Sequence, residues 1–165
     1  YTIVERNGEK IGIIGIVISK KTKMSSNPDD TTMFLDEANT AQQYADELKA
    51  QGVDRVILLS HYGYDNDLAL AQNTSGIDII VGGDSHSLLG DLSDLGLKPS
   101  GSYPTMVSDA SGNDVCVVTA WQYSQIVGEL HAEFDGQGNI TSCMGTPHMM
   151  LADSFKRKNA DGERV

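Results

Sequence analysis

Basic residues, cysteine, proline and long apolar runs are all scarce in this chain, and each shortage removes a class of protein. No stretch approaches the roughly 18 to 20 consecutive apolar residues of a membrane helix, so no membrane span is expected, and no signal peptide is visible. Lys and Arg number 12 against 23 Asp and Glu, a formal net charge of −11, which argues against nucleic acid as a partner. The two cysteines, Cys116 and Cys143, form no C-x-x-C pair, so a zinc knuckle or dithiol redox motif is set aside. Two reduced, buried thiols acting as small hydrophobes are one reading of them. Neither Gly-x-Gly-x-x-Gly nor Walker A spacing occurs, which weakens a doubly wound nucleotide-binding domain as an interpretation. Internal repeats and low-complexity tracts are absent as well.

What is present concentrates at two strand exits. Ile77-Asp78-Ile79-Ile80-Val81 is a short apolar, β-branched run that reads as a buried strand, and Gly82-Gly83 ends it in a tight turn. Asp84 and His86 follow at i and i+2, a carboxylate and an imidazole that can converge on one ion or on two neighbouring ions. Val56-Ile57-Leu58-Leu59-Ser60 is a second such run, closed by His61 and then Gly63. Ligands of open α/β sheets bind at the carboxyl ends of the strands. His61, Asp84 and His86 are therefore the candidate metal ligands of one crevice.

In chain order, Asn7-Gly8 predicts a hairpin turn between Thr2–Glu5 and Lys10–Ile18. The second of these is so continuously apolar that it should lie inside a sheet, with Gly12 and Gly15 marking close backbone approach. Residues 19–32 read as a loop, and Lys20, Lys21 and Lys23 within it as solvated surface. Residues 36–50 predict a helix with Asp36 as N-cap, Gly52 past its end, and Ala38, Ala41, Ala45 and Leu48 as its apolar face. A second helix spans about 65–72. This βαβ alternation favours a largely parallel sheet with right-handed crossovers. After Gly90 the signals become those of hairpins: strands at 103–107, 114–119, 126–134 and 139–143, with Asp135–Gly138 as a turn. The fold class is thus α/β, βαβ units first and antiparallel hairpins after. Residues 1–152 form one domain, and 153–165, with Lys156-Arg157-Lys158, read as a polar linker.

Between Arg55 and Lys156 the one basic residue is Lys98, against twelve carboxylates. A phosphate site there could not rest on arginine clamps; it would need bound cations or groups from elsewhere in the protein. Most of these acids, Asp67 among them, read as ordinary solvated surface. His131, in a predicted strand, and His148, in a predicted loop, match no motif and are taken as structural. Tyr62, Trp121 and Tyr123 are the aromatics nearest the crevice, with Trp121 assigned to core packing.

At Ser60-His61-Tyr62-Gly63 and Gly82-Gly83-Asp84-Ser85-His86 the chain resembles the 5′-nucleotidase branch of the calcineurin-like metallophosphoesterases. That branch carries a Thr/Ser-His-x-Gly box and then a Gly-Gly-His-Ser-His/Gln box. Residues 8–18, 65–81 and 121–139 fit as well, so the resemblance covers nearly the whole chain. Asp84 in place of the commoner histidine, Leu88-Leu89-Gly90 and Ser100–Thr105 are most similar to the secreted NAD and nucleotide nucleotidases. The resemblance implies an αββα sandwich, with the later strands as its second sheet. It implies two divalent metal ions (Mn, Zn, Mg or Co), His61 and Asp84 serving one and His86 the other, and a nucleotide as substrate. The family's other metal boxes lie upstream of the segment matching Tyr1, so the chain is expected to be a fragment, inactive alone, with no catalytic residue of its own. Its substrate-binding residues are left unassigned, because in the family the base is stacked by a C-terminal domain. A periplasmic or secreted location is implied, and with it a Cys116–Cys143 disulfide becomes the alternative to free thiols. Self-association through an exposed sheet edge is a further expectation. The rival reading is a non-catalytic metal-binding or interaction module that keeps the fold.

Overall fold

Asn7 and Gly8, both at positive φ, turn strand β1 (Thr2–Arg6) into β2 (Glu9–Val17), and the two pair antiparallel. This computed structural model describes residues 1–152, 156, 159 and 161–163. The linker expected over 153–165 lies for the most part outside the described residues. The chain continues through α1 (Ser19–Ser26), α2 (Glu37–Ala50), β3 (Val56–His61), α3 (Tyr64–Asn73), β4 (Ile79–Gly82), β5 (Thr105–Ser108), β6 (Asp114–Thr119), β7 (Ile126–Phe134) and β8 (Ile140–Met149).

Six strands form one sheet in the order β1-β2-β3-β4-β6-β5, and β7 and β8 form a separate antiparallel pair. The steps β2-β3 and β3-β4 are parallel, as the βαβ alternation predicts, and so is β4-β6. The register places Ile14, Leu58, Ile80 and Val117 in one row across those four strands, and all four are fully buried. That row is the centre of the core. α2 packs over β2 and β3, and α3 over β4, β5 and β6. Asp36 caps α2 by accepting from Asn39 N–H at 2.9 Å. Ala41, Ala45 and Leu48 are buried as its period demands, with Ala38 partly so. Gly12 is what lets Leu48 come down onto β2, since a Cβ there would collide with the leucine's terminal carbons.

Three sequence expectations need correction. Residues 19–26 are helical, not loop: Thr22 N–H and its hydroxyl both bond Ile18 C=O, at 3.1 and 2.6 Å. No residue of α1 is buried and its N-cap residue, Ile18, offers no side-chain bond; the first N–H, of Ser19, is accepted by distant Glu37 at 2.6 Å, so neither an apolar face nor a local cap signal existed to be read. The second correction concerns β6, which pairs parallel with β4 and carries β5 on its far side. Those two strands belong to the first sheet, and only β7–β8 stands as a second one. Thirdly, β8 continues through Pro147 and His148 to Met149, so His148 is a strand residue opposite Val127. Proline, lacking an N–H, is tolerated on a strand paired on one side only.

The β7–β8 hairpin lies on the sheet face opposite the helices. Cys143 of β8 is joined by a disulfide to Cys116 of β6, and no cysteine among the described residues is free. Closing a loop across a sequence separation of 27 residues stabilises a fold chiefly by restricting the unfolded chain, by about 3 kcal/mol. The hairpin turn rests on the start of β3, where a Cβ at Gly138 would overlap Asp54, and Arg55 lies 5.7 Å from the Phe134 ring centroid. The rest of this face is less covered. Val17, Leu59 and Val81 remain 43%, 47% and 40% exposed, although the continuous apolar runs of β2 and β3 are of the kind buried on both faces.

At the amino ends of the strands, Asp78 ties β3, β4 and β6 together. Its Oδ2 accepts from Val56 N–H at 2.7 Å, its own N–H donates to Val56 C=O at 3.0 Å, and its C=O accepts from Cys116 N–H at 2.8 Å. Burial pushes its carboxyl up to about 7; the Val56 bond and Arg55 oppose this, and the charges of Asp109 and Asp54 add to it. A raised carboxyl binds its proton more tightly folded than unfolded. Its contribution is therefore complete below the ordinary 3.8 and is lost as pH rises through about 7. Asp78→Asn should flatten that loss, seen as a urea midpoint falling less steeply than wild type's between about pH 4 and 7. Parallel slopes for the two proteins would show that Asp78 does not titrate in this window.

Candidate metal centre

The carboxyl ends of β2, β3 and β4 meet at one edge of the sheet. His61 closes β3, and its C=O accepts from Ile18 N–H at 3.0 Å, holding the end of β2 beside it. Gly63, at φ +97°, then swings the chain into α3, a conformation strained for any other L residue. Just past the neighbouring strand, Gly83 leaves room for the imidazole of His61: a Cβ there would lie 3.3 Å from its Nδ1. Asp84 and His86 follow at φ +74° and +52°, left-handed values that non-glycine residues adopt at a cost unless neighbours hold them. Ser85 between them is what does so. Its N–H donates to Gly83 C=O at 3.0 Å, and its Oγ accepts from Tyr64 N–H at 3.0 Å, stitching the second box to the first turn of α3.

Of the three candidate ligands, two are brought together. His61 Nε2 lies 3.4 Å from Asp84 Oδ1; the imidazole is 63% exposed and the carboxylate 12%. The same Oδ1 accepts a hydrogen bond from the ammonium of Lys21. His86 stands apart, its ring edge-on to Tyr123 with centroids 5.2 Å apart, and Tyr123 is itself 78% exposed. Among the described residues no group of three or more His, Cys, Asp or Glu side chains is placed to hold a metal ion. The donor chemistry of the His61–Asp84 pair, one imidazole nitrogen and one carboxylate oxygen, suits two ligands of a single divalent cation.

Two residues near this pair escaped the sequence reading. Lys21 passed as solvated surface, yet α1 begins two residues after β2 ends, and β2 pairs with β3, so the start of α1 has to lie near His61. Asp67 passed as surface charge but is fully buried, and Ser60 Oγ donates to its Oδ1 at 2.5 Å. Burial raises the Asp67 carboxyl to about 6, against the lowering effect of that bond. The usable signal was position: Asp67 shares the buried stripe of α3 with Tyr64, Leu70 and Ala71. His131 and His148 both bond Glu129, each at 2.8 Å, on the exposed hairpin. Burial raises the Tyr62 phenol too, followed by the charges of Glu37, Asp36 and Asp67. Trp121 is half-buried beside Leu95, Leu97 and Met149.

No family model matches the chain. A probable 5′-nucleotidase of Treponema pallidum is 46% identical over 162 residues, 96% of this chain and 27% of that protein. The structure of Haemophilus influenzae NAD nucleotidase superposes with a TM-score of 0.91 at 38% identity, over 99% of this chain and 33% of that one. The crystal structure of a 5′-nucleotidase precursor from Thermus thermophilus gives 0.86 at 42% identity, over 91% and 29%. The chain spans about a quarter to a third of the length of these relatives. Sequence and fold agree, and the chain is a homologue, along nearly its full length, of one segment of the 5′-nucleotidases.

Proposed function

We propose that this chain supplies part of the two-metal centre of a 5′-nucleotidase, a hydrolase acting on nucleoside 5′-phosphates, with the pyrophosphate bonds of NAD or UDP-sugars as further substrates. The observation that carries the reading is the approach of His61 Nε2 to within 3.4 Å of Asp84 Oδ1 at the exits of adjacent parallel strands. The relatives' names support the reaction class. In the reaction, a water oxygen bonds to phosphorus, the P–O5′ bond breaks, and the nucleoside leaves with a proton, so inorganic phosphate and a nucleoside result. Two divalent cations (Mn, Zn, Mg or Co) would activate the water and offset charge on the phosphate oxygens.

The chain's own residues bind and orient. His61 and Asp84 would hold one cation, and His86 the second. Residues 56–155 hold a single basic side chain, Lys98, so neutralising the substrate falls to cations and to groups outside that segment. Three donors are too few for two ions, so the chain by itself should not turn over. A non-catalytic metal-binding or interaction module is the second reading, and what favours it is that no three donors converge among the described residues. The Cys116–Cys143 disulfide supports a periplasmic or secreted location, since such bonds persist in oxidising compartments. The exposed strand β1, at one edge of the six-stranded sheet, is the surface through which self-association would run.

Calorimetric titration of the chain with Mn²⁺ tests the reading. Weak binding is expected, reduced at least about tenfold by either His61→Ala or Asp84→Ala, with no phosphate released from a nucleoside 5′-monophosphate. Binding indifferent to both substitutions would remove the metal assignment, and phosphate release by the chain alone would overturn the expected inactivity. Asp84, a harder ligand than the family's commoner histidine, should also favour Mn²⁺ or Mg²⁺ over Zn²⁺. Asp84→His is therefore expected to raise Zn²⁺ affinity relative to Mn²⁺, and an unchanged ratio would refute the preference.

A further inference from the structure

Beneath the strand exits, on the helix side of the sheet, lies a charged group that folding alone does not account for. The register places Ile16, Ser60, Gly82 and Thr119 in the row beyond the central core row. The small side chains at Ser60 and Gly82 open a space there, and Asp67 of α3 fills it, fully buried. Its Oδ1 takes the Ser60 hydroxyl. Its Oδ2 has no hydrogen-bond partner and presses on Gly82 so closely that a Cβ there would overlap it. A buried carboxylate with one oxygen unsatisfied is a destabilising choice, and an amide of the same shape would fill the space at lower cost. Its location distinguishes it from a packing residue. Ser60 directly precedes His61, and Gly82 lies two residues before Asp84, so one side chain touches the base of both candidate boxes.

We propose that Asp67 is a positioning residue of the metal centre: it locks Ser60 and Gly82 to α3, fixes the spacing of His61 and Asp84, and adds negative charge beneath a bound divalent cation. Groups standing behind metal ligands tune affinity by orienting them and by their own charge. The inference rests on the metal reading above and deepens it, since neither box contains Asp67 and Asp67 touches no ligand directly.

The test is Mn²⁺ calorimetry on the chain carrying Asp67→Asn, with urea unfolding of the same sample. The amide keeps the shape and the acceptor for Ser60 and removes the charge. We expect an unfolding midpoint at or above that of wild type together with Mn²⁺ affinity weakened about tenfold or more. A midpoint that falls in step with affinity would assign Asp67 to folding alone and overturn the proposal. Unchanged affinity would overturn it as well, provided His61→Ala in the same series has lost binding. Wild-type binding that ignores His61→Ala would instead remove the metal reading, and this inference with it. Should Asp67→Asn fail to fold, Ser60→Ala cuts the same tie and leaves the charge in place: a several-fold loss of Mn²⁺ affinity supports the positioning role, and none refutes it.

Discussion

Parallel registration of β3 against β4 is the constraint on which everything chemical in this chain depends. Leu58 opposite Ile80 sets the core row, and because side chains alternate across a strand, the same register sends Ser60 and Gly82 to the helix side and His61 to the other. A slip of one residue would bury His61 and expose Leu58. The hydrophobic row therefore decides where the imidazole points, and the fully buried Ile14, Leu58, Ile80 and Val117 stabilise that geometry far more than any contact His61 makes for itself. Core and site are consequences of one alignment.

The two ends of the sheet hold their acids by different means. At the amino ends, Asp78 is partly buried and accepts a backbone N–H while its own peptide group bonds two neighbouring strands, so its carboxyl is held by the ladder it closes. At the carboxyl ends, Asp67 is buried with half its capacity unused. Sequence reading treats both as ordinary acids within an acidic segment. Physically the first is a structural tie, and the second is a cost borne where ligand chemistry is concentrated, the location at which strained or unsatisfied groups most often have a functional reason.

Much of this was legible before any coordinates. α2 announced itself through Asp36, its apolar spacing and Gly52; β3 and β4 through β-branched runs ended by His61 and by Gly82-Gly83; the first hairpin through Asn7-Gly8. α1 was not legible, because a helix that buries nothing leaves no periodic trace. The membership of β5 and β6 in the first sheet was hidden for another reason. Local hairpin signals report which strands are neighbours in sequence, and the parallel pairing of β6 with β4 spans the 31 residues between Gly82 and Asp114, beyond the reach of any turn motif. At the site, the boxes gave His61, Asp84 and His86, but only three-dimensional placement shows the first two as a pair and His86 against Tyr123. Ser60 and Asp67 lie seven residues apart in sequence, and only the burial of α3 brings them into contact.

Charge explains the last feature of the site. With a net charge of −11, a carboxylate such as Asp84, mostly shielded from solvent and next to an imidazole, needs a positive partner. The segment that bears it offers only Lys98, so the partner comes from before β3: Lys21, on the helix that β2 delivers to the same edge. An ammonium is a compact point charge on a flexible stem, and Lys21 remains 55% exposed while it makes this contact, so solvent screens much of the attraction and little energy holds it in place. A divalent cation would face Asp84 with twice the charge and a fixed coordination shell, whereas the lysine can swing back into water at small cost. Asp84 is thus faced by a cation that yields easily, and the proposed uptake of a metal ion at this edge would need no more than the release of Lys21 into water.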